Sequence, residues 1–325
     1  MALINHPHFV AGHDGLMRAI DAALPGQLIF VIGLSGAGKT ELRKLSMRAY
    51  AGAPRRWGPG RIPAISVRAT PSDKSYFSPK DFINRLLVEL DAPNLDWTGM
   101  SADGPNSGER RFFEEIKAAA DGLAGLRTKR PEHELRLAFE RLARARSLRA
   151  VFVDEAASMT YSHRGKAPGD HMVSYMCMAE EIPVVLVLFG VPRIKHLWTG
   201  NSEIRRRSRF VFLRRYTRED VVVFGRLVVT VAAAFQMESG DLLRENIDLI
   251  YHATMGSFGE VRSFLQRADE SRILDGRSSI TLTDLERAVY SRDDLASLHE
   301  DARLFDQLSS PADLSSTRAS KRGSA

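Results

Sequence analysis

Three glycines, a lysine and a threonine fall in one octad, Gly33-Leu34-Ser35-Gly36-Ala37-Gly38-Lys39-Thr40. The spacing fits the G-x-x-x-x-G-K-[ST] pattern of a phosphate-cradling loop. Glycines let backbone N–H groups turn inward and approach phosphate oxygens without a Cβ in the way. Lys39 then reaches the β- and γ-phosphates, and the Thr40 hydroxyl is placed to ligate Mg²⁺. A second pair, Asp154-Glu155, closes the apolar run Ala150 to Val153. Asp154 suits Mg²⁺ held through its water shell, and Glu155 suits a general base that polarises an attacking water. Either feature alone is weak. Together they describe a site for ATP and Mg²⁺, with a phosphate cradle and a metal carboxylate in one chain.

Arginine is dense between Arg205 and Arg218. Most of these side chains fit a solvated basic face. One of them also fits an arginine finger that completes a neighbouring subunit's site, and Arg209 is the first candidate, Arg206 the second. Arg262, at a helix start after Gly256, fits a sensor reaching the nucleotide as well as it fits an ordinary surface arginine.

These residues need elements to position them. Leu28 to Ile32 reads as a buried strand leading into the loop, and Glu41 to Leu45 as helix, the order a phosphate-binding helix N-terminus requires. Further strands are expected at Ile62–Val67, Ala150–Val153, Pro183–Phe189 and Phe210–Leu213. Helices are expected at Asp81–Leu90, Glu109–Ala120 and Glu132–Ala145, with a loop over Pro93–Gly108. Apolar strands alternating with helices imply an α/β fold with a parallel sheet covered on both faces. Beyond Tyr216 the pattern is helical only, with breaks near Gly240, Gly256 and Gly276. The expected organisation is a lead-in over 1–25, an α/β nucleotide-binding core over 26–216, a helical lid over 217–304 and a disordered basic tail over 305–325.

With 325 residues the chain is long enough for one large or two smaller cores. Its 44% hydrophobic and 26% charged residues describe a globular protein, and no apolar run approaches a membrane span. The first residues carry no secretory signal pattern, and one cysteine, Cys177, fits a reducing cytoplasm. Cys177 lies between Met176 and Met178 and reads as core filler. His6, His8 and His13 match no zinc spacing. The net charge of +6 favours an anionic partner.

The chain resembles AAA+ ATPases, and among them the TniB/TnsC-type regulators of DNA transposition. The resemblance runs from about Phe9 to Tyr290 and rests on Gly33–Thr40, Ile62–Pro71 with Ser78–Phe82, Val153–Ala156, Glu181–Val187 leading into Gly190, and Gly259–Arg262. It implies an AAA+ core with a C-terminal helical lid, and a homo-oligomer assembled as a ring or helical filament on double-stranded DNA. It also implies relay of target DNA to a transposase, together with a TniQ/TnsD-like target selector, in the cytoplasm of a bacterium at its nucleoid. By the same resemblance, DNA-facing cations follow the second strand, where this chain has Lys74, Lys80, Arg110 and Arg111. One position departs from the family pattern. Val191 stands after Gly190 where a polar residue is usual, so slow or partner-dependent hydrolysis is expected. Two other readings stay open: an ATPase of another machine, of the ExeA kind, and a nucleotide-gated protein scaffold that does not bind DNA.

Overall fold

The computed structural model describes residues 6–71, 75–98, 130–161 and 167–310. It divides into two units, Met1–Arg215 and Tyr216–Ala325, and each is described by itself.

The first unit is built on a five-stranded sheet of β1 (Leu28–Ile32), β2 (Ala64–Arg68), β3 (Ala150–Asp154), β4 (Val185–Gly190) and β5 (Ser208–Phe212). Their order is β2-β3-β4-β1-β5, and every pairing is parallel. All five β1 residues are buried, because helices cover both faces of a parallel sheet. β1 lies between β4 and β5, with Ile32 level with Gly190 and Phe212. All the strand carboxyl ends therefore lie on one edge of the sheet, and the β1, β3 and β4 ends carry the loop, the carboxylates and Val191.

Helices α1 (Pro7–Asp21), α2 (Lys39–Ala51), α3 (Pro79–Asp91), α4 (Glu132–Ala145), α5 (Pro168–Glu181) and α6 (Ser202–Arg206) surround the sheet. α1 begins with proline at its first turn, where no N–H is needed. It buries Phe9, Leu16 and Ile20 in the same core cluster as Val31, Leu42 and Phe152. α3 is capped by Ser78, whose hydroxyl accepts from the Asp81 N–H at 3.2 Å. It buries Phe82, Leu86 and Leu90 at helical spacing and packs on α4, which buries Leu135 and Phe139.

Several expectations shift. The second strand starts at Ala64 rather than Ile62 and includes Arg68, and the fifth starts at Ser208 rather than Phe210. Ser208 and Arg209 are held as strand by their register against Leu28 and Ile29, which outweighs their polarity. The Pro93–Gly108 loop contains a 3₁₀ turn, Asp96–Thr98, whose Trp97 is buried against Trp57 with ring centroids 5.8 Å apart. The expected Glu109–Ala120 helix lies outside the described residues. Cys177 is exposed, not core. In α5 the buried set includes Met172, Tyr175, Met176, Met178 and Ala179, and at about 100° per residue Cys177 falls on the opposite face.

The second unit contains α7 (Val221–Ala232), α8 (Leu242–Glu245), α9 (Ile247–Thr254), α10 (Phe258–Leu274), α11 (Leu282–Arg287) and α12 (Arg292–Ser309). Its core includes Phe224, Val228, Ile250, Phe264 and Leu265. It is not helical throughout: Met237 and Ile280 form a parallel β-bridge, with the Ile280 N–H donating to the Gln236 carbonyl at 2.8 Å. α12 runs to Ser309 with Phe305 buried, so 305–309 belong to a packed helix rather than to a disordered tail. Residues 311–325 lie outside the described set. Among the described residues no helix is long and apolar enough to cross a membrane.

Candidate nucleotide site

β1 ends at Ile32, and the chain turns at once into the octad, tied to β4 by the Gly33 N–H donating to the Gly190 carbonyl at 3.2 Å. Gly36 and Gly38 sit at φ +67° and +86°, left-handed values that favour glycine. A Cβ on Gly38 would also meet the Phe9 ring at 3.4 Å. Gly38 is the residue before α2, so the loop delivers the chain directly into a helix start. The N–H groups of a first helical turn have no intrahelical acceptor and point outward, ready for anionic oxygens.

Lys39, the first residue of α2, is half-buried under this loop. Its Nζ donates to the carbonyls of Gly33 at 3.0 Å and Leu34 at 2.7 Å. Burial pushes its pKa down from 10.5 to about 8, opposed by the nearby Glu155 and Asp154. The Thr40 hydroxyl donates to Asp154 Oδ2 at 3.3 Å across 114 residues of sequence. The expected metal pair, Thr40 and Asp154, is therefore brought together. The other carboxylate oxygen, Oδ1, accepts the Glu155 N–H at 3.0 Å, which orients the group. Glu155 itself sits at φ +52°, ψ +35°, a left-handed conformation unusual for a non-glycine and frequent at functional turns. A helix start, a lysine beneath it and a paired hydroxyl and carboxylate fit a nucleoside triphosphate with Mg²⁺. Lys39 would neutralise the phosphates, Thr40 and Asp154 would hold the metal, and Glu155 would face the attacking water.

Two residues that the sequence reading did not single out complete the constellation. Arg43, one turn along α2 from Lys39, places Nε 3.2 Å from Asp154 Oδ2 and donates through Nη1 to the Ser66 hydroxyl. Arg68, the last residue of β2, stands level with Asp154 in the strand register, with Nη2 3.7 Å from Glu155 Oε1. Helical spacing from Lys39 signals Arg43 in the sequence. Arg68 becomes visible only once β2 and β3 are known to be neighbours. These groups border a cavity of about 480 Å³ lined by Thr40, Arg43, Arg68, Glu89, Trp97 and Asp154, among others.

The remaining predicted residues lie elsewhere. Arg209, near the start of β5, donates to the Gln27 side chain at 3.2 Å and to the Ala22 carbonyl at 2.9 Å. It is thus tied to its own subunit, at the sheet edge opposite the loop. Arg206 is exposed at the end of α6. Val191 follows β4 as an apolar residue beside the loop. Arg262 is exposed on α10 of the second unit. Lys80 is exposed at the start of α3, while Lys74, Arg110 and Arg111 lie outside the described residues.

A parallel sheet ordered β2-β3-β4-β1-β5, with a phosphate loop after β1 and an acidic pair after β3, defines a P-loop nucleotide-binding protein with an AAA+ α/β core and a helical C-terminal unit. Residues 24–198 match the family model described as an AAA domain, and the chain belongs to that family. Its fold is similar to the ORC2 protein of Aeropyrum pernix in its ADP form (TM-score 0.52, 15% identity, 87% of this chain and 67% of that one). It is also similar to the ORC1 protein of the same organism in complex with DNA (0.54, 14%, 88% and 65%). A third is Cdc6p from Pyrobaculum aerophilum (0.53, 14%, 91% and 71%). The chain spans about two thirds of the length of these proteins. No curated protein matches the sequence.

Proposed function

We propose that the chain is a Mg²⁺-dependent ATPase that assembles with copies of itself on double-stranded DNA and presents that DNA to a transposase and its target selector. The observation that carries the ATPase reading is the convergence of Lys39, Thr40, Asp154 and Glu155 at the edge of the sheet. Lys39 neutralises the terminal phosphates, Thr40 and Asp154 fix the metal, and Glu155 takes the proton of the attacking water. Arg206 supplies the trans cation better than Arg209, because Arg209 is already bonded within its own subunit. Arg262 serves as the lid sensor. Hydrolysis is slow, since Val191 offers the γ-phosphate no hydrogen bond and Arg68 faces Glu155. Slow turnover suits a switch that persists on DNA.

The DNA reading rests on the +6 charge, the family resemblance and the cations after the second strand, Lys74, Lys80, Arg110 and Arg111. Contacts to phosphates position a protein without reading sequence. Fluorescence anisotropy on a random duplex, with and without a non-hydrolysable ATP analogue, tests it across a salt series. Binding is expected only with nucleotide, and it weakens steeply with salt. Replacing Lys74 and Lys80 together by alanine weakens binding on every sequence about equally and flattens the salt slope by about one unit per lost contact. A parent protein with no ATP-dependent affinity at low salt removes the transposition reading and leaves the nucleotide-gated scaffold.

A further inference from the structure

The carboxylate meant for the metal already has a cation on it. Asp154 Oδ2 faces Arg43 Nε at 3.2 Å and accepts from Thr40 at 3.3 Å, while Oδ1 accepts the Glu155 N–H at 3.0 Å. Arg43 and Asp154 are both only 13% exposed, so water screens this pair little. Mg²⁺ needs octahedral geometry and is held by one or two carboxylates plus substrate phosphates. A guanidinium 3.2 Å from Oδ2 competes for the oxygen that the ion or its water shell would use. We infer that Arg43 holds Asp154 in a metal-excluding arrangement, so that this site accepts a divalent cation only together with a nucleoside triphosphate.

The surroundings support the exchange. Arg43 and Arg68 stand beside Asp154 and Glu155 at the cavity, and Lys39 lies close to both carboxylates. Each carboxylate therefore already has a cation near it, and a bare divalent ion must displace one. A triphosphate adds its own negative charge, offsets Lys39 and supplies further oxygen ligands to the ion. Arg43 has room to withdraw, because the cavity of about 480 Å³ opens beside it and carries Glu89 on its wall. Ser66 already accepts from Nη1, an anchor for Arg43 that does not depend on Asp154.

The inference rests on the nucleotide-site reading above, and its test is built to fail separately. Mn²⁺ serves as the probe, with its free concentration followed by electron paramagnetic resonance in the parent chain, Arg43→Met, Arg43→Lys and Arg43→Met/Asp154→Asn. Without nucleotide, Arg43→Met is expected to bind Mn²⁺ at least about tenfold more tightly than the parent, because the competing guanidinium charge is gone from beside Asp154. Arg43→Lys restores most of the exclusion, and Asp154→Asn abolishes the gain, which a merely structural role for Arg43 would not produce. With a non-hydrolysable ATP analogue, parent and Arg43→Met converge. Equal or weaker Mn²⁺ affinity in Arg43→Met without nucleotide overturns the inference. Should Arg43→Met melt before the assay temperature, the parent alone decides: Mn²⁺ affinity unaffected by the analogue overturns the inference. A fluorescent ATP analogue titrated into the parent in EDTA reports on the nucleotide site by itself. Its failure to bind would refute that site while the nucleotide-free Mn²⁺ comparison still judged Arg43.

Discussion

Because burial holds the Lys39 pKa at about 8, nucleotide affinity is coupled to protons near neutrality. In the free protein Lys39 changes from mostly charged to mostly neutral between pH 7 and pH 9. In the complex the phosphate oxygens stabilise the ammonium and keep it charged over this range. The free protein must therefore take up a proton to bind, and the apparent dissociation constant scales as 1 + 10^(pH − 8). That factor is about 1 at pH 7 and about 11 at pH 9, so affinity falls about tenfold across the interval. The terminal phosphate, with a second pKa of about 6, contributes little to the change. The sign for folding is opposite. A lowered lysine pKa opposes folding below pH 8, and that penalty fades as pH rises from about 8 towards 10.5, so this group makes the free protein more stable while binding weakens. The assay is titration of a fluorescent ATP analogue in EDTA at half-unit pH steps, with Lys39→Ala as a weak-binding control expected to be flat. An affinity constant from pH 7 to pH 9 in the parent would refute the assignment of a buried, proton-coupled lysine to the phosphate site.

Further predictions concern individual parts of the site. Glu155→Gln should retain nucleotide binding and lose hydrolysis by about 10²–10⁴-fold in a phosphate-release assay, since the general base is gone and Asp154 is untouched. Gly38→Ala forces a side chain into φ +86° beside the Phe9 ring and should weaken nucleotide binding about 5–30-fold, matching a strain of about 1–2 kcal/mol. Mixing Arg206→Ala subunits with Lys39→Ala subunits should restore part of the ATPase lost by each alone, because each supplies what the other lacks. Arg209→Ala should lower the melting temperature instead, by removing the bonds to Gln27 and Ala22. Rescue by Arg209→Ala and none by Arg206→Ala would reverse that assignment.

The octad and its strand were legible because they form one contiguous signal: an apolar run, a glycine turn and a helix in immediate succession. The acidic pair was legible for the same reason. What escaped depends on which distant segments become neighbours. Arg68 reads as an ordinary strand end until β2 lies beside β3 and sets it against Glu155. Arg43 can be placed one helical turn from Lys39 by spacing alone, but its partner is settled only when β3 brings Asp154 beside it. The tryptophans Trp57 and Trp97 lie in segments whose glycine, proline and asparagine content signals loop, yet their stacking carries those loops into the core. Cys177 was misplaced because a run of three sulfur-containing residues looks uniformly apolar, whereas a helix buries only the face that its angular spacing turns inward.

The place of β1 in the sheet has a consequence in time. The strand that ends in the phosphate loop has no sequence-adjacent partner: its neighbours are β4, from Val185, and β5, from Ser208. During synthesis, at about 5–20 residues per second, some 8–30 s separate the emergence of Leu28 from that of Val185. Through that interval an entirely apolar strand waits without a hydrogen-bonding neighbour, a state prone to wrong pairing and suited to shelter by a chaperone. A nascent chain stopped just before Val185 carries the phosphate loop and the acidic pair, from Gly33 to Glu155, and neither of the strands that must hold the loop in place.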